Sequence, residues 1–271
     1  MSKRNNQASK TAARERLRLE RERQAKRAKA KRQAIVASSV VAALVVAAGI
    51  GYFIVQANKP DRWESVKGDK IVAPANTSGT NGTVVTIGKA DAPKTLKMYE
   101  DPRCPICAQF EQTVGSTVTK DVAAGKFKIQ YIGGAFLDDS LGGEGSKDTL
   151  SAMGAALNVS PDAFAAYKSA LYSKKWHPEE TDDKFKDDSY LIKVANTVPA
   201  LKNNAAFQKN VKSGKYDAWA LAMSKTFTNN KDKVTGTPSL VMDGKMLQTS
   251  DGNPPMTVAD FNSLITPALA S

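Results

Sequence analysis

The 271-residue sequence contains one histidine and only two cysteines. A single imidazole excludes three-histidine zinc sites, HExxH metalloprotease sites and the two-histidine-one-carboxylate iron triad. Two thiols cannot build the multi-bridge framework of a small secreted domain, and a chain of this length does not need one. Acidic residues are scarce at one end: residues 1–33 hold 3 Asp or Glu against 13 Lys or Arg. The formal charge is +12, but +10 of it lies in that stretch and residues 34–271 contribute only +2. The basicity is therefore a property of a tail, and the high pI is no argument for nucleic acid as a partner of the whole chain.

Between Ser9 and Gln33 the tail is rich in helix formers and almost free of large apolar residues. Glu15, Glu20 and Glu22 sit among arginines at spacings that permit i,i+3 and i,i+4 pairs. With no apolar face to bury, it is expected as a solvated helix beside anionic headgroups. Ala34–Val55 then runs 22 residues without a charge. As a helix this run would extend about 33 Å, enough to cross a hydrocarbon core of about 30 Å. Lys26–Arg32 is basic, while the far flank of Lys59, Asp61, Arg62 and Glu64 is mixed. That asymmetry predicts a single-pass signal-anchor over 34–57, the N-terminus cytoplasmic and the remainder extracytoplasmic. The competing reading is a signal peptide cut after Ala57, against which stand the long apolar run and the long basic region. Residues 58–82, ending in a Ser/Gly/Thr/Asn-rich run, read as a tether. The folded domain is expected over 83–271.

Within that domain, 83–87 and 95–99 alternate as strands and 126–132 as a third. Residues 104–123 read as one helix weakened by Gly115. A helical block is predicted over about 146–229, with Ser160-Pro161 marking one helix start. Phe164, Tyr167, Trp219, Met223 and Phe227 fall on its apolar faces and are expected as core. Strands follow at 239–243 and 245–248 around an Asp243-Gly244 hairpin signal, then a last helix opened by Thr257 and Asp260. The order β-β-α-β, helical block, β-β-α is an α/β pattern with a helical insertion.

Both cysteines fall in Cys104-Pro105-Ile106-Cys107, after a strand and at a helix start. A thiol there meets unsatisfied backbone N–H groups and the positive end of the helix dipole, which favour the thiolate. Cys107 lies one turn on, within reach of Cys104. Haem attachment needs histidine after the second cysteine, and residue 108 is alanine. Zinc lacks further ligands, since the only histidine is the distant His177, expected on the surface. A purely structural bridge over two residues would remove little chain entropy. Redox chemistry, which needs no metal or organic cofactor, is the use this placement favours over metal binding and a structural bridge. Arg103 has two readings, a charge lent to the thiolate or a solvated side chain. Farther along, Thr235-Gly236-Thr237-Pro238 precedes a strand; a trans proline opening the strand and a deliberate cis turn are both compatible with it.

Taken together, CPIC at a helix start, GTP before the penultimate strand and a helical block between them resemble the thioredoxin superfamily, and within it the DsbA family of thiol-disulfide oxidoreductases. The resemblance is carried by 88–111 and 213–247 and extends over roughly 83–266. It implies a thioredoxin fold with a helical insertion, Cys104 as nucleophile, Cys107 as resolving thiol, Pro238 as the cis-proline and Thr237 as a backbone partner for an extended substrate. It implies exported thiol proteins as substrates and a separate redox partner that resets the pair. Two departures stand out: the family's acid six residues before the first cysteine is Met98 here, with Glu100 and Asp101 the nearest acids, and no histidine lies between the cysteines. A reductase or isomerase, or a binding module with a static bridge, are the alternatives.

Overall fold

The computed structural model describes residues 62–270. The basic tail and the 34–57 anchor expected from sequence lie outside the described residues, and among those described no helix is long and apolar enough to cross a membrane.

In chain order the elements are α1 (Arg62–Ser65), β1 (Thr77–Ser78), β2 (Val84–Ile87), β3 (Thr95–Glu100), α2 (Pro105–Thr113), α3 (Gly115–Ala124), β4 (Lys128–Gly133) and α4 (Phe136–Leu141). There follow α5 (Gly145–Leu157), α6 (Pro161–Leu171), α7 (Asp188–Ala195), α8 (Ala205–Lys212), α9 (Asp217–Thr228), β5 (Ser239–Met242), β6 (Lys245–Met246) and α10 (Val258–Ala270). The strands form one sheet, β1-β2-β4-β3-β5-β6. Only β3 and β4 pair in parallel, Met98 opposite Tyr131 and Glu100 opposite Gly133. The β5–β6 turn uses Asp243 and Gly244, both at positive φ as such a tight hairpin demands.

Strand periodicity decides which helices cover which face. Leu96 and Met98 point with Leu240 and Met242 toward Phe110, Val118, Val122, Phe261 and Ile265, so α2, α3 and α10 close one side. Tyr99, Ile132 and Val241 point the other way, against Phe227 of α9. The helical insertion has its own core of Leu150, Phe164, Tyr167, Phe207, Trp219 and Met223, continuous with Val85 and Tyr131 of the sheet. The expected single helix over 104–123 is two helices meeting at Val114. At the start of the second helix a Cβ on Gly115 would stand 2.8 Å from the Glu111 carboxyl carbon, so glycine leaves that side chain its room.

The tether expectation is corrected for residues 62–82, which are part of the domain. Arg62 forms a bidentate pair with Asp217 (2.6 and 2.8 Å) and reaches Asp148 at 2.8 Å. Trp63 is buried, Asn76 donates to the Leu157 carbonyl and the Trp219 indole donates to Gly82 O, and β1 adds an edge to the sheet. The composition suggested a flexible run because the partners of its backbone and side chains lie some 80 to 155 positions away in sequence.

Candidate active site

The parallel pair β3–β4 sits mid-sheet, and the chain leaving the C-terminal end of β3 turns at once into α2. Asp101 closes that turn, its carbonyl accepting from Cys104 N–H at 3.0 Å. Cys104 is the N-cap of α2 in extended conformation, with Pro105 at the first helical position, where a missing N–H costs nothing. The Cys104 sulfur accepts from the Cys107 backbone N–H at 3.4 Å. The two thiols are free, Cys104 6% exposed and Cys107 fully buried.

The environment drives the pair apart. Cys104 is pulled down to about 6, first by the hydrogen bond from the Cys107 thiol, against burial, then by Thr237 and the N–H groups of Cys107 and Ile106. Cys107 is pushed well up, chiefly by burial, then because it serves as donor to Cys104. Across the site the Thr237–Pro238 peptide is cis, and the Thr237 carbonyl lies 3.5 Å from the Cys104 sulfur. Thus the structure brings Cys104, Cys107, Thr237 and Pro238 to one place. The loop carrying Thr237 is fastened from behind. Asn230 brackets Val234 with two 2.8 Å bonds, and Asp232 accepts from Tyr99 Oη at 2.5 Å and Lys97 at 2.7 Å.

Position 98 carries no acid, but a buried one lies two residues on. Glu100 lies on the same face of β3 as Met98, fully buried, and is pushed up to about 7 by burial, which outweighs the attraction of Lys168. Lys168, from α6 of the insertion, stands 3.0 Å from Glu100 and 2.7 Å from Glu111 of α2. One ammonium between two carboxylates keeps Glu111 ionised, while Glu100, the more deeply buried of the two, retains its proton to near neutrality. Glu100 also acts electrostatically on Cys107, so it can hold a proton beside the resolving thiol. Lys168 was not identified from sequence. The available signal was a lysine four residues after Phe164 and three before Leu171, inside an apolar stripe. A cavity of about 440 Å³ is lined by Lys168, Glu111, Met98, Tyr131 and Phe164, and touches neither cysteine.

Neither reading of Arg103 holds. It is 2% exposed, paired with Asp138 at 3.0 Å, and bonded to the carbonyls of Gly142 and Glu180, so its charge is neutralised away from the thiolate. His177 is also corrected: half-buried rather than on the surface, its Nε2 lies 3.1 Å from Pro102 O. No group of three or more metal-ligating side chains occurs among the described residues.

Asp101 is likewise pushed up to about 7 by burial, against bonds from Ser146, Arg103 N–H and Leu137 N–H. For carboxyl groups with raised folded values, the folded state binds more protons than the unfolded one between the ordinary value and about 7. Stability is therefore present at low pH and lost as pH rises through 7. The disulfide form, in which Cys104 has no proton to exchange, should lose at least a few degrees of Tm between pH 5 and 8 by calorimetry. A Tm that rises over that range would contradict this protonation pattern.

A thioredoxin family model matches residues 80–266. Among solved structures, DsbA of Mycobacterium tuberculosis in its reduced form is 25% identical with a TM-score of 0.55, covering 70% of this chain and 96% of that one. The reduced disulfide bond oxidoreductase DsbG of the same organism is 25% identical with a TM-score of 0.53, covering 78% and 98%. Among curated sequences, the serine/threonine-protein kinase PknE of M. tuberculosis is 28% identical over 120 residues, 43% of this chain. The match spans only 21% of the kinase's length. With a family model over most of its length, and a low-pKa cysteine capping a helix beside a buried partner and a cis-proline, the chain belongs to the thioredoxin family, as a DsbA-like thiol-disulfide oxidoreductase.

Proposed function

We propose that this chain catalyses disulfide formation in exported proteins, outside the cytoplasm and held at the membrane by residues 34–57. The single observation that carries the oxidase direction is the split between the two thiols. A Cys104 thiolate favoured from about pH 6 upward stabilises the reduced pair, and a stabilised reduced form makes the disulfide a strong oxidant. In the forward reaction a substrate thiolate attacks Cys104 Sγ of the disulfide, and Cys107 leaves as thiolate and takes a proton, for which Glu100 is the nearby reservoir. The substrate's second thiolate then attacks its own sulfur in the mixed disulfide and expels Cys104, the better leaving group of the pair. Two electrons pass to the dithiol, and a separate redox partner must remove them. The Thr237 backbone, exposed to an extended substrate segment beside Cys104, would fix its register by main-chain bonds. No metal or organic cofactor has a part in these steps.

The membrane and location component is supported by the charge asymmetry around 34–57. Equilibration of the full chain with glutathione buffers tests the direction: a potential above about −180 mV is expected, and one near about −270 mV would make the protein a reductase. Protease added to intact cells should digest the cysteine domain while leaving the tail; protection of that domain would reject the proposed topology.

A further inference from the structure

The segment joining α6 to α7 lies against the three residues that precede the nucleophile and contacts each of them, Asp183 also standing 3.5 Å from the Arg103 guanidinium. Tyr172 Oη donates to the Asp101 carbonyl at 3.1 Å. His177 Nε2 stands 3.1 Å from the Pro102 carbonyl. The Glu180 carbonyl accepts from the Arg103 guanidinium at 2.9 Å. A carbonyl only accepts, so the imidazole donates from Nε2–H; burial holds the ring toward the neutral form, which has a single N–H to give. The ring is itself fixed, stacked on Tyr172 at 5.8 Å and edge-on to Phe185 at 5.7 Å, with its backbone N–H bonded to Ser173 O. Tyr172 packs in one cluster with Cys104, Cys107 and Ala108, and its carbonyl accepts from Gln112 of α2. The insertion thus grips the cysteine loop on successive residues, although it lies some 70 positions away in sequence.

We propose that the Tyr172–Glu180 segment is the positioning element for Cys104, with His177 its central residue. The Cys104 N–H to Asp101 O bond closes the turn, and the peptide between Pro102 and Arg103 is held at its N–H by the Asp101 carboxylate at 3.0 Å and at its carbonyl by His177. The orientation of that peptide determines where Cys104 starts α2, and hence how its sulfur meets the N–H of Cys107 and faces Thr237. The imidazole fixes the carbonyl end of that peptide as the Asp101 carboxylate fixes its N–H end, so the thiolate is solvated by pre-placed donors instead of by reorganisation. The histidine missing from between the cysteines is replaced by one that acts through the loop. This rests on Cys104 being the nucleophile.

The test compares the reduced full chain with His177→Ala and His177→Gln, the glutamine amide being able to place an N–H where Nε2–H stood. Iodoacetamide alkylation of Cys104 across pH reads the thiolate, and equilibration with glutathione reads the pair. His177→Ala should slow alkylation near pH 6 about fivefold and shift the glutathione equilibrium toward the disulfide by a similar factor, as expected for one hydrogen bond. His177→Gln should stay within about twofold of the parent. Unchanged alkylation in His177→Ala, with or without a fall in Tm, would overturn the proposal, as would a loss that glutamine fails to restore. A parent Cys104 that titrates like an ordinary thiol would instead remove the nucleophile reading beneath it, and both would fall.

Discussion

Replacing Cys104 with alanine should reduce thiol oxidation by this protein to the uncatalysed background, while Cys107→Ala should leave a chain that accumulates covalent adducts. The asymmetry follows from burial and pKa. Cys104 is the partly accessible sulfur and is thiolate from about pH 6 upward, whereas Cys107 is fully buried and held as a thiol. A substrate therefore meets only Cys104. Without Cys107 a mixed disulfide on Cys104 has no internal thiol to resolve it and survives until an external one arrives. Loss of the Cys107 S–H bond will raise the Cys104 value, since that bond is its largest lowering cause, but the backbone N–H groups of residues 106 and 107 persist in the variant. Adducts should be visible on non-reducing gels after alkylation quench and vanish in the double variant lacking both cysteines. A Cys107→Ala protein that forms none would favour a static bridge in a binding module.

The second large effect is on stability. Lys168→Met should cost about 3–5 kcal/mol, the usual loss when one member of a buried ionic group is removed, or roughly 10 °C in Tm for a domain of this size. The ammonium is shared by Glu100, fully buried, and Glu111, only partly exposed, at the interface between the sheet, α2 and the insertion. Removing it leaves Glu111, which is ionised because of Lys168, without a counter-charge. Glu100 would simply hold its proton to higher pH. The second-site change Glu111→Gln should accordingly recover much of the loss, and Glu100→Gln much less. Denaturant melts at neutral pH decide this. A cost below about 1 kcal/mol would mean that the cavity lined by Lys168 and Glu111 hydrates the pair, and that the interior there is not dry.

That same cluster marks where sequence reasoning stopped. Glu100 and Asp101 were visible as the acids nearest the cysteines, and strand periodicity places Glu100 on the face of Met98. Nothing along the chain links either to Lys168, because an apolar stripe reports that a helix face is buried and is silent on what it is buried against. Arg103 and His177 failed for the same reason: a charged or lone polar residue is exposed by default, and only a distant acceptor reverses that. The run 62–82 reads as flexible because its small polar residues satisfy no local pattern, while its bonds go to Asp148, Asp217, Leu157 and Trp219.

What the sequence determined by itself was local: the cysteine pair at a helix start, the proline before a strand, the alternation that builds the sheet and the 3.6-residue stripes that build the insertion. These depend on backbone geometry and neighbouring residues, which a single sequence displays. Tertiary structure alone decided where Glu100 finds its cation, how the 62–82 segment is held, and that the insertion grips the Asp101–Arg103 turn. Each of those is a free energy of charge or hydrogen bonding between groups far apart in sequence, set by burial and ångström distances that exist only after the chain has folded.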